Sequence, residues 1–111
     1  MAVRTIIFRG KRIDNGEWVC GFIVKMFGTY HIIDKDDENT AYGVIPETVG
    51  QHTGLKDKNG KRIFENGYMI IDKQTYKVLF DNGEYILKNI FNCDIIQLKN
   101  NSNIGVFVDE I

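Results

Sequence analysis

Thr75-Tyr76-Lys77-Val78-Leu79-Phe80-Asp81-Asn82-Gly83-Glu84-Tyr85-Ile86-Leu87-Lys88 decides the fold class. Tyr76, Val78 and Phe80 fall on one face of an extended chain and Thr75, Lys77 and Leu79 on the other, the period of two that marks a half-buried strand. Asn82-Gly83 follows at once. Both residues tolerate the positive φ that a type I′ turn needs at its two central positions, so the dipeptide between apolar runs is a strong hairpin signal. The second run, Glu84 to Lys88, starts directly after it. The stretch reads as two antiparallel strands joined by a tight turn.

Working outward, the same grammar recurs along all 111 residues. Strand-like runs cover Thr5 to Arg9, Trp18 to Phe27, Thr29 to Ile33, Ala41 to Ile45, Arg62 to Phe64 and Tyr68 to Asp72. Beyond the hairpin they continue as Asp94 to Leu98 and Gly105 to Val108. Asn-Gly recurs at Asn15-Gly16, Asn59-Gly60 and Asn66-Gly67, and no helical period is sustained anywhere. Gly10 to Val19 is nearly repeated as Gly60 to Met69. Two copies cannot build a solenoid, so convergence of good hairpins on the same residues explains the echo. The expected fold is mainly β, with a β-rich α+β arrangement as the alternative. Residues 1–54 form a hairpin region, and 55–111 curl into a small, partly open barrel resembling an SH3-like one, since closing a sheet removes exposed edges. The expected core is Trp18, Phe22, Phe27, Tyr30, Val49, Leu55, Ile63, Phe64, Ile70, Val78, Phe80, Ile86, Ile95 and Phe107.

With 43% hydrophobic and 26% charged residues, the chain has the composition of an ordinary globular domain. Its longest apolar runs are too short to span a bilayer and its start lacks a secretory h-region, so the expected compartment is the cytoplasm. The formal net charge of −1 argues against attachment to nucleic acid by bulk charge. Charge is nonetheless arranged in blocks. Residues 1–30 carry five basic and two acidic groups, 31–50 one and five, 51–77 six and three, and 78–111 two and five. Arg9, Lys11 and Arg12, with Lys56, Lys58, Lys61 and Arg62, would form a basic patch if the two similar hairpins lay side by side. Trp18, Phe64 and Tyr68 would then add stacking surfaces for a single strand.

Catalytic and metal signatures are sparse. Cys20 and Cys93 stand apart, outside any zinc-ligand spacing, and each sits among apolar residues where a reduced, buried thiol is expected. Asp34-Lys35-Asp36-Asp37-Glu38-Asn39 alternates acids like the start of a calcium loop, but lacks the loop's glycine and its closing glutamate. No phosphate loop, dinucleotide fingerprint or nucleophile elbow is present. An enzyme working through His52 with Thr48, Thr53 or Asp57 is the residual reading, and no cofactor is expected.

Phe8-Arg9-Gly10-Lys11 stands near the start, and Pro46-Glu47-Thr48-Val49-Gly50-Gln51-His52-Thr53-Gly54-Leu55-Lys56-Asp57-Lys58-Asn59-Gly60-Lys61-Arg62-Ile63-Phe64-Glu65 fills the middle. With Val78-Leu79-Phe80-Asp81-Asn82-Gly83 and the closing Ile104-Gly105-Val106-Phe107, this pattern resembles the YopX family of phage and prophage proteins. The resemblance spans nearly the whole chain and implies one YopX-like domain over 1–111. It departs where the family usually has Glu-Gly-Asp; here Glu65-Asn66-Gly67-Tyr68 stands instead, so no role of that aspartate carries over. The resemblance implies a small phage-derived, mostly β protein and names an origin rather than a mechanism.

The expected function is a non-enzymatic interaction module acting on a host or phage protein, because blocks of alternating charge favour encounter with a complementary partner. A single-stranded nucleic-acid binder is the alternative, and no membrane is involved. The expected binding residues are Arg12, Gln51, His52, Thr53, Lys56, Lys58 and Lys61, polar groups on or beside a glycine-rich connection between elements.

Overall fold

The computed structural model describes residues 6–111. Its strands are β1 (Phe8–Lys11), β2 (Trp18–Met26), β3 (Thr29–Asp34), β4 (Ala41–Gly43), β5 (Gly50–Lys56), β6 (Arg62–Phe64), β7 (Tyr68–Ile71), β8 (Gln74–Asp81), β9 (Glu84–Asn89), β10 (Ile95–Gln97) and β11 (Val106–Val108). Only single 3₁₀ turns at Pro46–Thr48 and Ser102–Ile104 interrupt them, and no α-helix occurs among the described residues. The fold is mainly β, as the alternation predicts. All but one of the strands fall on the expected runs; the Thr5 end of the first lies outside the described residues. The missed strand is β5, expected as a glycine-rich connection.

Pairing produces two antiparallel sheets, ordered β4-β3-β2-β1-β5-β6 and β10-β9-β8-β7-β11. The second sheet ends in two edge strands, and its described residues are not hydrogen-bonded into a closed barrel. Contacts divide the chain into two compact units, 1–52 and 53–111, with the division falling inside β5.

Three hairpins turn on two residues that both have positive φ: Phe27-Gly28, Asp72-Lys73 and Asn82-Gly83. That is the type I′ requirement, and the central hairpin obeys it with the residues the sequence predicts. Asn59-Gly60 closes the β5–β6 hairpin differently, with Gly60 alone left-handed at φ 81°. Asn66, at φ 70°, turns the chain out of β6 toward β7.

In the first unit the core is Val19, Ile32 and Val44, with Phe8, Ile23, Tyr42 and Val49 packed against it. Gly10 permits this packing, because a Cβ there would stand 3.1 Å from both Ile32 and Val44. In the second unit Ile63, Phe64, Met69, Ile71, Val78, Ile86, Leu87, Leu98 and Phe107 are buried. Five of the expected core residues, Ile63, Phe64, Val78, Ile86 and Phe107, are therefore in the core, and Trp18, Val49 and Leu55 are half-buried.

Phe22, Phe27, Tyr30, Ile70, Phe80 and Ile95 are exposed instead, which corrects the expectation of burial. Ile70 lies opposite the buried Met69 and Ile71 on its strand, and Phe22 opposite Val19 and Ile23; each has the right residue type on the wrong face. Phe80, near the tip of β8, rests edge-on against Tyr85 at 4.9 Å rather than in the core. Phe27 is the tip of a hairpin. The thiols are likewise less buried than expected: Cys20 is half-buried in β2, and Cys93 is exposed in the β9–β10 turn at φ 64°.

Candidate functional site

The segment from Pro46 to Glu65 is built first as a support. Thr48 closes the 3₁₀ turn by donating from Oγ1 to the Ile45 carbonyl at 2.6 Å, and the same oxygen accepts the Lys11 N–H of β1 at 2.8 Å. Beside it, Arg9 is only 2% exposed and its guanidinium lies 4.1 Å from the centre of the Trp18 ring. Arg9 is thus an interior cation and not part of a surface patch.

Within β5, Gln51 pairs with Phe8, and the His52 N–H donates to the Ile7 carbonyl at 2.7 Å. Thr53 Oγ1 donates to the Ile63 carbonyl at 2.9 Å and accepts the Leu55 N–H at 3.3 Å. These three residues are half-buried. They serve the strand that the sequence concealed.

Asp57 organises the loop that follows. Its Oδ1 accepts the N–H groups of Asn59 and Lys61, both at 2.9 Å, and its Oδ2 accepts that of Phe107 at 2.8 Å. The residue is 6% exposed. Burial by itself would raise the carboxyl's pKa, but the donors from Phe107, Lys61 and Asn59 and the Lys61 charge outweigh it and hold the group below the usual carboxylate range. The Lys58 N–H also donates to the Gly105 carbonyl at 3.1 Å, so the loop is sewn both to the last strand and to the residue that leads into it.

This loop holds its lysines outward. Lys56 and Lys58 are exposed and form no ion pair with a described residue. Lys61 Nζ lies 3.7 Å from Asp109 and 5.5 Å from the centre of the Phe107 ring. Arg12 belongs to the first unit and is held there: it donates to both carboxylate oxygens of Asp14, at 3.0 and 2.7 Å, with its guanidinium 4.0 Å from the Tyr42 ring centre. Hydrogen bonding to Arg12 keeps the Asp14 carboxyl below its ordinary pKa. Of the expected binding residues, Lys56 and Lys58 have the most freedom; Thr53 and Arg12 already have defined partners.

Sequence reasoning missed the most exposed aromatic. Phe27 stands fully exposed at the β2–β3 tip, in the left-handed region at φ 52°. Ile23 and Tyr30 of the same hairpin join Phe8, Pro46 and Val49 in lining an open apolar recess of about 370 Å³, and Lys25 Nζ sits 5.4 Å from the Tyr30 ring centre. The available signal was Phe27-Gly28 between two strand runs: a glycine-bearing two-residue gap reads as a turn, and a turn puts its first residue outside.

Among the described residues, no three His, Cys, Asp or Glu side chains gather as metal ligands, and no helix is long and apolar enough to cross a membrane. No curated protein matches the chain. The family profile described as YopX protein matches residues 7–108, and the segments that carry the resemblance are those just seen fastening to one another. With the match running from the start of β1 to the end of β11, the chain belongs to the YopX family.

Proposed function

We propose that this protein is a non-enzymatic protein-interaction module that engages a host or phage protein through the β2–β3 hairpin, with Phe27 as its anchor. One observation carries the reading. A bulky residue at positive φ is a backbone outlier costing about 1 kcal/mol or more, and such strain concentrates at functional positions. The chain uses Asn82-Gly83 for the same turn elsewhere, so Phe27 is not there to make the turn. A fully exposed ring resembles the aromatic anchors that dominate binding energy at protein interfaces, and the strands that carry it contribute Ile23 and Tyr30 to an apolar recess.

The non-enzymatic part of the reading is supported by the oxygens of Thr48, Thr53 and Asp57, each engaged in backbone hydrogen bonds. The phage-associated family fits action in the cytoplasm of a bacterial host. The second unit, with its five-stranded antiparallel sheet and β6, is read as a partly open barrel of SH3-like kind that carries Lys56, Lys58 and Lys61 at its rim.

Photocrosslinking tests the anchor. A benzophenone side chain placed at position 27 should give a saturable protein adduct in lysate of a phage-infected bacterium. The parent protein should compete it away, and Phe27→Asn should not. Equal competition by Phe27→Asn would move the interface off this hairpin.

A further inference from the structure

A single row of residues crosses all five strands of the second sheet in register. Val108 pairs with Tyr68, Tyr68 with Lys77, Lys77 with Lys88, and Lys88 with Ile95. Directly paired residues point to the same face of a sheet. The opposite face holds the buried Phe107, Met69, Val78 and Leu87, so this row lies on the other side, where Lys88 and Ile95 are exposed, Tyr68 and Lys77 half-buried and the neighbouring Ile86 buried.

Lys77 and Lys88 are nearest cross-strand neighbours, and like charges placed directly opposite one another destabilise a sheet. Neither lysine forms an ion pair with a described residue. Asp81 and Glu84, the acids on this face of the hairpin, face each other beyond the intervening Leu79–Ile86 pair. The next row toward the β9–β10 turn is Ile70–Thr75–Ile90, with Phe91 following at 85% exposure. The face thus presents two adjacent unneutralised cations, an aromatic ring beside them and an apolar border.

We propose that this face binds single-stranded nucleic acid, with the sugar–phosphate backbone over Lys77 and Lys88 and a base stacked on Tyr68. Adjacent cations on neighbouring strands ask for an anion between them, and phosphate supplies it. Tyr68 is half-buried, and the part of its ring that reaches the surface is a stacking platform indifferent to sequence, whereas an acidic peptide gains nothing from it. Tyr68, Lys77 and Lys88 occupy three successive strands about 4.8 Å apart, so one stacked base places its neighbouring phosphate above the lysines. The net charge of −1 supplies no general attraction, which leaves recognition to this row. The inference goes beyond the hairpin reading and shares no residue with it.

Fluorescence anisotropy with labelled oligothymidylate tests it on the full chain, with a duplex of equal length and a poly-glutamate peptide as competitors. Binding should be saturable at low salt, with log K falling against log salt at a slope of about −1.4 for two single-strand phosphate contacts. Lys77→Thr with Lys88→Thr should flatten that slope and keep or raise the melting temperature, because the repulsion is gone. Tyr68→Leu should weaken binding by about 5- to 100-fold, the range of one lost base stack, and leave the slope unchanged. Tyr68→Phe should restore affinity, which separates stacking from any loss of fold. Absence of binding at low salt would overturn the proposal, as would undiminished binding by the double-lysine variant. Poly-glutamate competing as well as the oligonucleotide, with Tyr68→Leu unaffected, would assign the face to an acidic protein instead.

Discussion

Asp57 Oδ2 accepts the backbone N–H of Phe107 at 2.8 Å, joining the middle of the family signature to its closing strand across fifty residues. With the Lys58–Gly105 hydrogen bond beside it, the most recognisable part of the sequence is explained by folding. Asp57→Ala should cost about 3 kcal/mol, since it removes a charged acceptor and strands buried donors. The acid limb follows from the sign of the shift. A carboxyl whose folded pKa lies below its unfolded value stabilises the protein fully above the unfolded value, near 3.9, and loses that contribution as pH falls through the folded one. Asp57→Asn should therefore show a shallower loss of stability below about pH 4 than the parent. Parallel acid-denaturation curves for the two proteins would contradict this role.

Phe27→Asn should raise stability. Asn is tolerated in the left-handed region where Phe is strained, and nothing in the core depends on a fully exposed ring. The expected gain is about 0.5–1 kcal/mol, read as an upward shift of the melting temperature. A loss of stability would mean that the ring is held by contacts within the protein and is no anchor.

The sequence-level reading succeeded where side-chain alternation and turn chemistry agree, as at Asn82-Gly83 between β8 and β9. It failed at β5, because Gly50 and Gly54 in Gly50-Gln51-His52-Thr53-Gly54 imitate a loop; Gly54 adopts φ 89° within a strand. Facing was the second blind spot. Val19, Ile32 and Val44 make one core, yet nothing local distinguishes their side of the sheet from that of Phe22, because period two marks two faces without saying which is inward. The polar residues weighed for binding or for the residual enzyme reading failed to separate for a related reason. Thr53 and Asp57 look like free polar groups in sequence, and their partners, Ile63 and Phe107, are supplied by pairings distant in the chain. The Lys77–Lys88 juxtaposition is equally a product of register.

Reversing Lys56 and Lys58 to glutamate should leave the fold intact. Both are exposed, and the loop is held by Asp57 and the backbone of Lys58 rather than by their charges. The change in unfolding free energy should stay within about 0.5 kcal/mol. A larger loss in a denaturant titration would show that the loop's positive charge supports the structure.

The two thiols should react at different rates with a disulfide reagent. Cys93 is exposed and should label promptly, whereas Cys20 is half-buried in β2 and should lag. A Cys93→Ser variant should abolish the fast phase and keep the slow one. Equal rates in the parent protein would place both cysteines in similar surroundings, contrary to the fold.

Gly21 and Gly43, both strand glycines of the first unit, should respond oppositely to alanine. At Gly21 a Cβ would stand 1.8 Å from the Ile33 carbonyl oxygen and 2.9 Å from the Lys35 nitrogen, both backbone atoms with no rotamer to yield. Accommodating it requires β2 and β3 to move apart, and Gly21→Ala should cost about 3 kcal/mol or more, in the range of severe overpacking. At Gly43 the nearest atoms are the Ile13 Cδ1 at 3.6 Å and the His31 Nε2 at 3.8 Å, ordinary van der Waals distances, and φ is not left-handed. Gly43→Ala restricts the unfolded chain without straining the folded one, and should stabilise by about 0.4–1 kcal/mol. Chemical denaturation of the two variants side by side checks the pair. If Gly21→Ala were tolerated as well as Gly43→Ala, the close crossing of β2 over the end of β3 would be wrong.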